Sequence, residues 1–292
     1  MSIYVGNTKI NPLGISKVYV GSTKVYEAVS YDPVFANNTW AQIKQACQSG
    51  NIPSTWAIGD VKYCTNPYCK IILVDKTEGR YVYASDNSYT HATFFIETLW
   101  YQPQLTGNQW TTGYANNKMH TQYEVDVYNQ LNAANSDLYG LIDEIKIKGY
   151  NSSYSITDVT VRCFIPVETV TGGDLTTSYK TGVALGLYPY FDSNTKRTLT
   201  YSGQSSNWIT RQTYKTGSGT SAKYYVTYIG TAGAASSFQS TATSATVLKQ
   251  GIACCFSWWY MKGYHKGEII YWTLLFISIL GSFAYLLYKL KV

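Results

Sequence analysis

The chain has 292 residues, of which 45% are hydrophobic, 16% aromatic and only 14% charged, with Tyr at 29 positions. This composition is too aromatic for an intrinsically disordered chain, and the length allows one or two folded domains. The net charge of +6 is spread thinly, without a run of Lys or Arg, which argues against the clustered basic surface that nucleic-acid binding needs.

A short repeat occupies the N-terminal residues. Residues 3–10 (IYVGNTKI) recur at 18–25 (VYVGSTKV). Each copy has the pattern of a β-hairpin, because a Gly-Asn or Gly-Ser turn separates two strand-like runs. Two such hairpins cannot bury a core alone, so they need a partner, either neighbouring copies in a homo-oligomer or another protein. We therefore predict a β-hairpin attachment module over residues 1–30, ended by a polar boundary.

The first helix of the central region has start and stop signals. Thr39 and Gln42 form a capping box, in which each side chain satisfies a backbone N–H group of the first turn. Gly50 ends the helix. Its inward face consists of Trp40, Ile43, Ala46 and Cys47. Strands are predicted to follow at 69–75 and 81–84.

Two further helices are predicted. One follows Asn116, with a four-residue apolar spacing formed by Met119, Tyr123, Val127 and Leu131. Ser136 or Asp137 caps the other, whose inward residues are Leu138, Leu141, Ile142 and Ile145. The remaining chain alternates short strands with turns and lacks repeated βαβ units, so the predicted fold class is α+β.

The C-terminal region is strongly apolar. The twenty residues that begin at Ile269 and end at Tyr288 carry no charge. A helix that rises about 1.5 Å per residue would match a hydrocarbon core of about 30 Å. We predict a membrane-spanning helix within residues 259–292, and a helix buried in an oligomeric stalk is the alternative. Lysines balance on the two sides, so the orientation cannot be predicted.

Residues 201–246 combine Ser, Thr, Gly and Ala with many aromatic rings. Tyr gives a large contact area at low entropy cost, and Ser and Gly give adaptable hydrogen bonding, as in antibody binding loops. We therefore predict a displayed ligand-binding surface, with Tyr201, Trp208, Arg211, Tyr214, Tyr224, Tyr225, Tyr228 and Phe238 as its residues. For Arg211 two roles stay open, pairing with a carboxylate in the core or presenting its guanidinium to a ligand.

Residues that would support catalysis or cofactor binding are sparse. The three histidines have no metal-ligand spacing, so neither a metal nor a cofactor is predicted. Residues 217–222 superficially fit a dinucleotide fingerprint, but a strand-like run follows, which favours a flexible turn. Six carboxylates leave a glycan hydrolase open as an alternative: Glu97, Asp126, Asp143, Glu144, Glu168 and Asp174. Cys64 and Cys69 flank a turn, and either a disulfide or two free thiols would fit there.

A series of motifs over residues 38–258 resembles a known domain family. The motifs are, in order, TWAQI at 39–43, Ser49-Gly50, WAIGD at 56–60, residues 110–119, YNQL at 128–131, Tyr190-Phe191, Lys196-Arg197, WITR at 208–211 and GIACC at 251–255. Their order resembles an uncharacterised domain family that is common in phage tail and bacterial surface proteins. The N-terminal repeats resemble short modules at the head of phage tail and baseplate proteins.

That family is similar to the C-type-lectin-like fold, which includes tail-tip proteins diversified by retroelements. The resemblance implies that residues 201–246 present a variable Tyr- and Ser-rich face, while Trp208 and residues 252–256 form the scaffold. The chain departs from the family at 251–253, where the usual Arg-Pro is absent, and in the apolar helix that follows.

Together these observations predict an α+β protein in which a C-type-lectin-like domain lies between short N-terminal β-hairpins and a C-terminal transmembrane helix. The predicted function, without enzymatic activity, is that of a receptor-binding adhesin of a phage tail or a prophage-encoded surface protein. Its expected partners are a host surface protein or glycan, a tail or baseplate protein bound through residues 1–30, and a membrane. A membrane-anchored envelope or surface-display protein, in which the C-terminal helix is the main functional element, remains the alternative.

Overall fold

Short strands make up most of the regular structure. The computed structural model describes residues 3–5, 8–10, 17–20, 23–27, 30–76, 89–97, 104–105, 112–153, 155–166, 189–240, 248–249 and 251–261. The chain divides into two compact units, of which the smaller contains the N-terminal hairpins and the larger spans Asp32–Tyr260.

The elements can be given in chain order. The strands are β1 (Ile3–Val5), β2 (Thr8–Ile10), β3 (Lys17–Val20), β4 (Thr23–Glu27), β5 (Val61–Thr65), β6 (Tyr68–Asp75), β7 (Tyr89–Ile96), β8 (Gln104–Leu105), β9 (Ile145–Tyr150), β10 (Ile156–Val161), β11 (Leu199–Tyr201), β12 (Gln204–Ser206), β13 (Trp208–Thr216), β14 (Lys223–Ile229), β15 (Ala235–Ser240), β16 (Leu248–Lys249) and β17 (Cys255–Met261). The α-helices are α1 (Trp40–Ser49), α2 (Val125–Leu131) and α3 (Asn194–Arg197). Shorter helical turns are the 3₁₀ segments Phe35–Asn37, Tyr114–Asn116, Pro189–Phe191 and Gly219–Ser221 and a π-helical segment, Met119–Glu124.

Both copies of the N-terminal repeat form antiparallel hairpins. Strand β1 pairs with β2 so that Val5 lies opposite Thr8. Strand β3 pairs with β4 so that Val20 lies opposite Thr23, with a register shift farther from the turn. Hairpin formation is the arrangement that the Gly-containing turns of the repeat predict.

A four-stranded sheet in the order β17-β7-β6-β5 runs through the larger unit. Strand β6 is buried on both sides, since Ile71 through Val74 are fully inaccessible to solvent. On one side, α1 and its neighbours form an aromatic cluster of Phe35, Trp40, Phe94, Phe256 and Trp258. On the other side, Phe95 packs against Phe191 and Trp208. A strand that is covered on both faces needs apolar side chains at successive positions, and the continuous apolar run of β6 meets this requirement.

Helix α1 begins and ends where the sequence predicts. The hydroxyl of Thr39 accepts a hydrogen bond from the backbone N–H of Gln42, and the Gln42 side chain accepts one from the backbone N–H of Thr39. Gly50 adopts a left-handed conformation with φ of 70°. The capping box and the glycine stop are therefore confirmed.

The third predicted helix is wrong. Residues 132–141 form a series of turns, and Ile145 begins strand β9. Leu138 and Ile142 are buried, as their helical spacing suggested, but Gly140 between them has φ of +68°, which an α-helix cannot contain. The predicted strand at 81–84 lies outside the described residues.

The predicted overall fold, a C-type-lectin-like α+β domain with a C-terminal membrane-spanning helix, is also wrong. The described chain mixes helix and sheet, with several small separate sheets and only three short α-helices. The longest, α1, has 10 residues and so measures about 15 Å, half of a hydrocarbon core. Within the described ranges, none of the helices combines enough length with enough apolar character to traverse a bilayer. The stretch from Ile269 to Tyr288 lies outside those ranges.

A hydrogen-bonded node built on Arg197 connects α3 to the turn between β14 and β15. The Arg197 guanidinium donates to the carbonyl oxygens of Gly233 (2.8 Å) and Phe191 (2.9 Å) and to the Asn194 side chain. Its own carbonyl accepts from the Trp208 indole at 2.8 Å. Gly233 has φ of +76°, and a Cβ atom there would lie 2.1 Å from the Asn194 carbonyl oxygen.

We expect Gly233→Ala to lower the free energy of unfolding by at least about 2 kcal/mol, because the added methyl group meets rigid backbone in a left-handed conformation. Gly203→Ala is the matched control, since Gly203 has φ of +79° but no atom of the described residues within 4 Å of the added Cβ. That control should lose only about 1 kcal/mol. Urea unfolding of the two variants measures the difference, and equal losses would contradict the clash.

All six cysteines are buried free thiols. Cys64 and Cys69 lie opposite each other on β5 and β6, so the open question of their state resolves to two thiols. Burial raises the pKa of the thiols of Cys47, Cys163, Cys254 and Cys255. For Cys64, the hydrogen bond with Cys69 is the first cause of the raised pKa and burial is the second.

We expect the protein to lose stability above about pH 8.5, the ordinary pKa of a thiol. There the thiols of Cys47, Cys64, Cys163, Cys254 and Cys255 ionise in the unfolded chain but stay protonated in the fold, so each costs about 1.4 kcal/mol per pH unit. Urea unfolding at about pH 7.5, 8.5 and 9.5 under reducing conditions measures the slope. Cys255→Ala removes one buried thiol, so its free energy of unfolding should fall by about 1.4 kcal/mol less per pH unit than that of the wild type. A free energy of unfolding that does not change between these pH values would contradict the prediction.

Candidate functional site

The predicted ligand-binding residues fall largely on one antiparallel sheet, β13-β14-β15. Strand β14 is central: Tyr225 lies opposite Tyr214 on β13 and opposite Gln239 on β15. Tyr228 lies opposite Ile209 and Ser236 in the same way. A bulge between Ile209 and Thr213 shifts the register of β13.

The tyrosines of β14 are divided between the two faces of this sheet. Successive side chains of a strand point to opposite faces, so Tyr224 and Tyr228 share one face while Tyr225 lies on the other. All three side chains are partly exposed. Between them, Val226 and Thr227 are fully buried. The sheet therefore offers tyrosines on two faces rather than on one.

Burial decreases along the sheet toward the turn between β13 and β14. Trp208, Ile209 and Ile229, at one end, are fully inaccessible. At the other end Lys215 and Lys223 are exposed, as are most residues of the intervening turn. The ammonium of Lys215 lies 5.7 Å from the centre of the Tyr224 ring, within cation–π range. This distal end is the accessible part of the site.

The predicted turn at 217–222 is confirmed. Gly217 and Gly219 have φ of +72° and +56°, and a single 3₁₀ turn at Gly219–Ser221 leads directly into strand β14. A phosphate-binding loop of the dinucleotide type would instead lead into a helix.

The other predicted site residues have different surroundings. Tyr201 is partly exposed at the end of β11 and packs against the main core. Trp208 is fully buried in that core, so its ring is not part of an exposed surface. Tyr214 and Phe238 belong to β13 and β15, and their side chains lie outside the described part of the structure.

Arg211 is 4% exposed and lies between two aromatic rings. Its guanidinium carbon is 5.8 Å from the centre of the Tyr114 ring and 5.7 Å from that of Phe164. Its Nε and Nη1 atoms have no hydrogen-bond partner in the described part of the chain. No carboxylate among the described residues lies within ion-pair distance of it. Within the described ranges, the Arg211 guanidinium thus forms no direct carboxylate pair, and it is buried from solvent.

A buried carboxylate that sequence reasoning missed is hydrogen-bonded to Tyr114, whose ring Arg211 contacts. Glu124 is 2% exposed and accepts hydrogen bonds from the Tyr114 hydroxyl, at 2.6 and 2.7 Å to its two oxygens, and from the backbone N–H of Ile165 at 2.6 Å. The His120 Nδ1 atom lies 3.0 Å from the same carboxylate. Burial, and then the Glu124 charge, hold the pKa of Tyr114 well above its usual range, while Arg211 acts in the opposite direction.

His120 and Glu124 belong to the π-helical segment and line a cleft of about 190 Å³ together with Tyr128, Glu144, Arg162 and Cys163. The available sequence signal was the spacing of four residues between His120 and Glu124, which places the two on one helical face. Burial raises the pKa of the Cys163 thiol well above its usual range, which opposes formation of a nucleophilic thiolate in this cleft.

Ion pairs hold three of the carboxylates that the sequence offers as glycosidase acids. The pairs are Glu97 with Lys70 at 2.7 Å, Glu144 with Arg162 at 3.4 Å, and Asp143 with Lys44. Glu168 and Asp174 lie outside the described residues. In the part of the chain that is described, His, Cys, Asp and Glu side chains form no group of three suited to holding a metal ion.

Comparison with protein-family models, curated proteins and solved structures finds no match to this chain.

We expect Glu124→Ala to lower the free energy of unfolding by about 3 kcal/mol, because the Tyr114 hydroxyl and the Ile165 N–H lose their buried partner. Glu144→Ala is the control from the same cleft, since its exposed ion pair with Arg162 should be worth less than about 1 kcal/mol. Denaturant unfolding compares the two variants, and similar losses would show that Glu124 does not organise this region.

Proposed function

We propose that this chain is a receptor-binding adhesin of a phage tail or a prophage-encoded surface protein. In this proposal the sheet β13-β14-β15 binds a host surface protein or glycan. The observation that carries the proposal is the set of partly exposed tyrosines on β14. The same strand is anchored by Val226 and Thr227, which are fully buried.

The tyrosines are well suited to recognition because their backbone is already ordered. A side chain on a paired strand loses less freedom on binding than one on a flexible loop, so more of the contact energy becomes affinity. Each ring gives apolar contact area, and each hydroxyl both donates and accepts hydrogen bonds. Ser236 and Ser237, partly exposed on β15, add further hydroxyls beside Tyr228.

The charge of the sheet favours one kind of ligand. Residues 201–240 contain Arg211, Lys215 and Lys223 but no Asp or Glu. The two lysines are exposed near the distal turn, whereas the arginine is buried. A ligand that presents acceptor oxygens or negative charge would therefore meet a complementary surface.

The N-terminal hairpins would provide attachment in the same proposal. Small two-stranded hairpins are marginally stable alone, so a partner surface would stabilise them. A tail or baseplate protein, or further copies of this chain, would supply that surface.

We expect Tyr224→Ala to weaken binding to the host cell by about tenfold or more, as removal of a central aromatic contact does. Labelled full-length protein and a panel of bacterial strains, read by flow cytometry, provide the measurement. Tyr225→Ala tests the opposite face of the sheet, so unequal effects would identify the binding face.

Tyr139→Ala is the matched control, because Tyr139 is 58% exposed and lies outside the sheet. Unchanged thermal melting would confirm that each variant is folded. Binding that stays at the wild-type level in both Tyr224→Ala and Tyr225→Ala would overturn the proposal.

A further inference from the structure

A second aromatic surface lies on the hairpin β5-β6, in a different sheet from the tyrosines of β14. Tyr63 and Tyr68 are 48% and 73% exposed. Their rings stack, with centres 5.7 Å apart and planes inclined by 17°. Tyr63 covers one face of the Tyr68 ring, and the exposure of Tyr68 leaves its other face to solvent.

The strand register places four side chains of this hairpin on one side. Tyr63 lies opposite Lys70, and Thr65 lies opposite Tyr68. The alternate residues, Cys64 and Cys69, point to the other side and are fully buried. The stacked rings therefore stand on a base that is packed into the interior.

The hairpin is also held at its turn. The backbone N–H of Thr65 donates to the Asp137 carboxylate at 2.6 Å, and the Thr65 hydroxyl donates to it at 2.9 and 3.0 Å. This tether restrains the edge strand β5 beside the rings. A surface that is rigid before binding loses little entropy when a ligand binds.

A polar rim continues from the rings. The Lys70 ammonium lies 2.7 Å from the Glu97 carboxylate. Burial alone would lower the pKa of Lys70, but the hydrogen bond to Glu97 and the nearby hydroxyls of Tyr190 and Tyr63 raise it overall. Lys70 thus lies opposite Tyr63 on the neighbouring strand, and its charge is compensated by the Glu97 carboxylate.

We propose that this surface, formed by Tyr63, Tyr68, Lys70 and Glu97, binds a neutral oligosaccharide. The negative face of an aromatic ring attracts the polarised C–H groups on the apolar side of a pyranose. The ammonium donates to sugar hydroxyls and the carboxylate accepts from them. Because the two charges compensate each other, the surface offers little attraction to an ionic ligand and suits an uncharged, polyhydroxylated one.

This surface is separate from the β14 tyrosines, so the inference does not rest on the proposed function. The probes are tetramers of glucose, galactose, mannose and N-acetylglucosamine, titrated into the full-length protein and followed by calorimetry. We expect at least one to bind and Tyr68→Ala to weaken that binding by about tenfold. Tyr68→Phe, which keeps the ring, should stay within about threefold of the wild type.

A control variant shows whether sugar binding depends on the stacked pair. Tyr139→Ala removes an exposed tyrosine outside that pair. It should bind the tetramer as the wild type does. Failure of all four tetramers to bind, or equal binding by Tyr68→Ala, would overturn the inference. A second copy of the chain as the occupant, detected as a sedimentation mass that Tyr68→Ala lowers without any sugar binding, would overturn it as well.

Discussion

The buried carboxylate of Glu124 connects parts of the larger unit that are distant in sequence. Its hydrogen bonds join the turn that contains Tyr114, the π-helical segment and the backbone of Ile165. The residue before Ile165, Phe164, forms a β-bridge with Cys255, so the carboxylate also fixes the entry to β17. The Tyr114 ring in turn contacts Arg211 of β13. The Glu124 carboxylate and the Arg211 guanidinium are therefore both buried, with the Tyr114 side chain between them. The contact of each group with Tyr114 lowers the free-energy cost of its burial.

Sequence reasoning succeeded where the structural signal is local. The capping box at Thr39 and the glycine stop at Gly50 act within one helical turn, and the hairpin repeats act across two-residue turns. It failed between residues 132 and 141, where the burial of Leu138 and Ile142 mimics helical spacing although the backbone turns at Gly140. Periodicity reports which side chains are buried, and several backbone paths can bury the same two residues.

For the candidate site, composition identified the tyrosine-rich strands but not their geometry. Adjacent residues of any strand face opposite sides, so the strand-like run already separates Tyr224 from Tyr225, but the bulge in β13 cannot be read from propensity. Glu124 was missed because its partner Ile165 is 41 residues away. The stacking of Tyr63 on Tyr68 likewise depends on a hairpin register that only the pairing of β5 with β6 establishes. Contacts between elements carry the information that the sequence pattern lacks.

The burial of six reduced thiols has a consequence for the lifetime of the molecule in air. While the interior stays closed, oxidants cannot reach the sulfur atoms. Each transient opening exposes several of them at once, and scrambled cross-links between them would prevent the chain from closing again. Its durability would then be governed by how often it opens, a kinetic property, rather than by the equilibrium between open and closed forms.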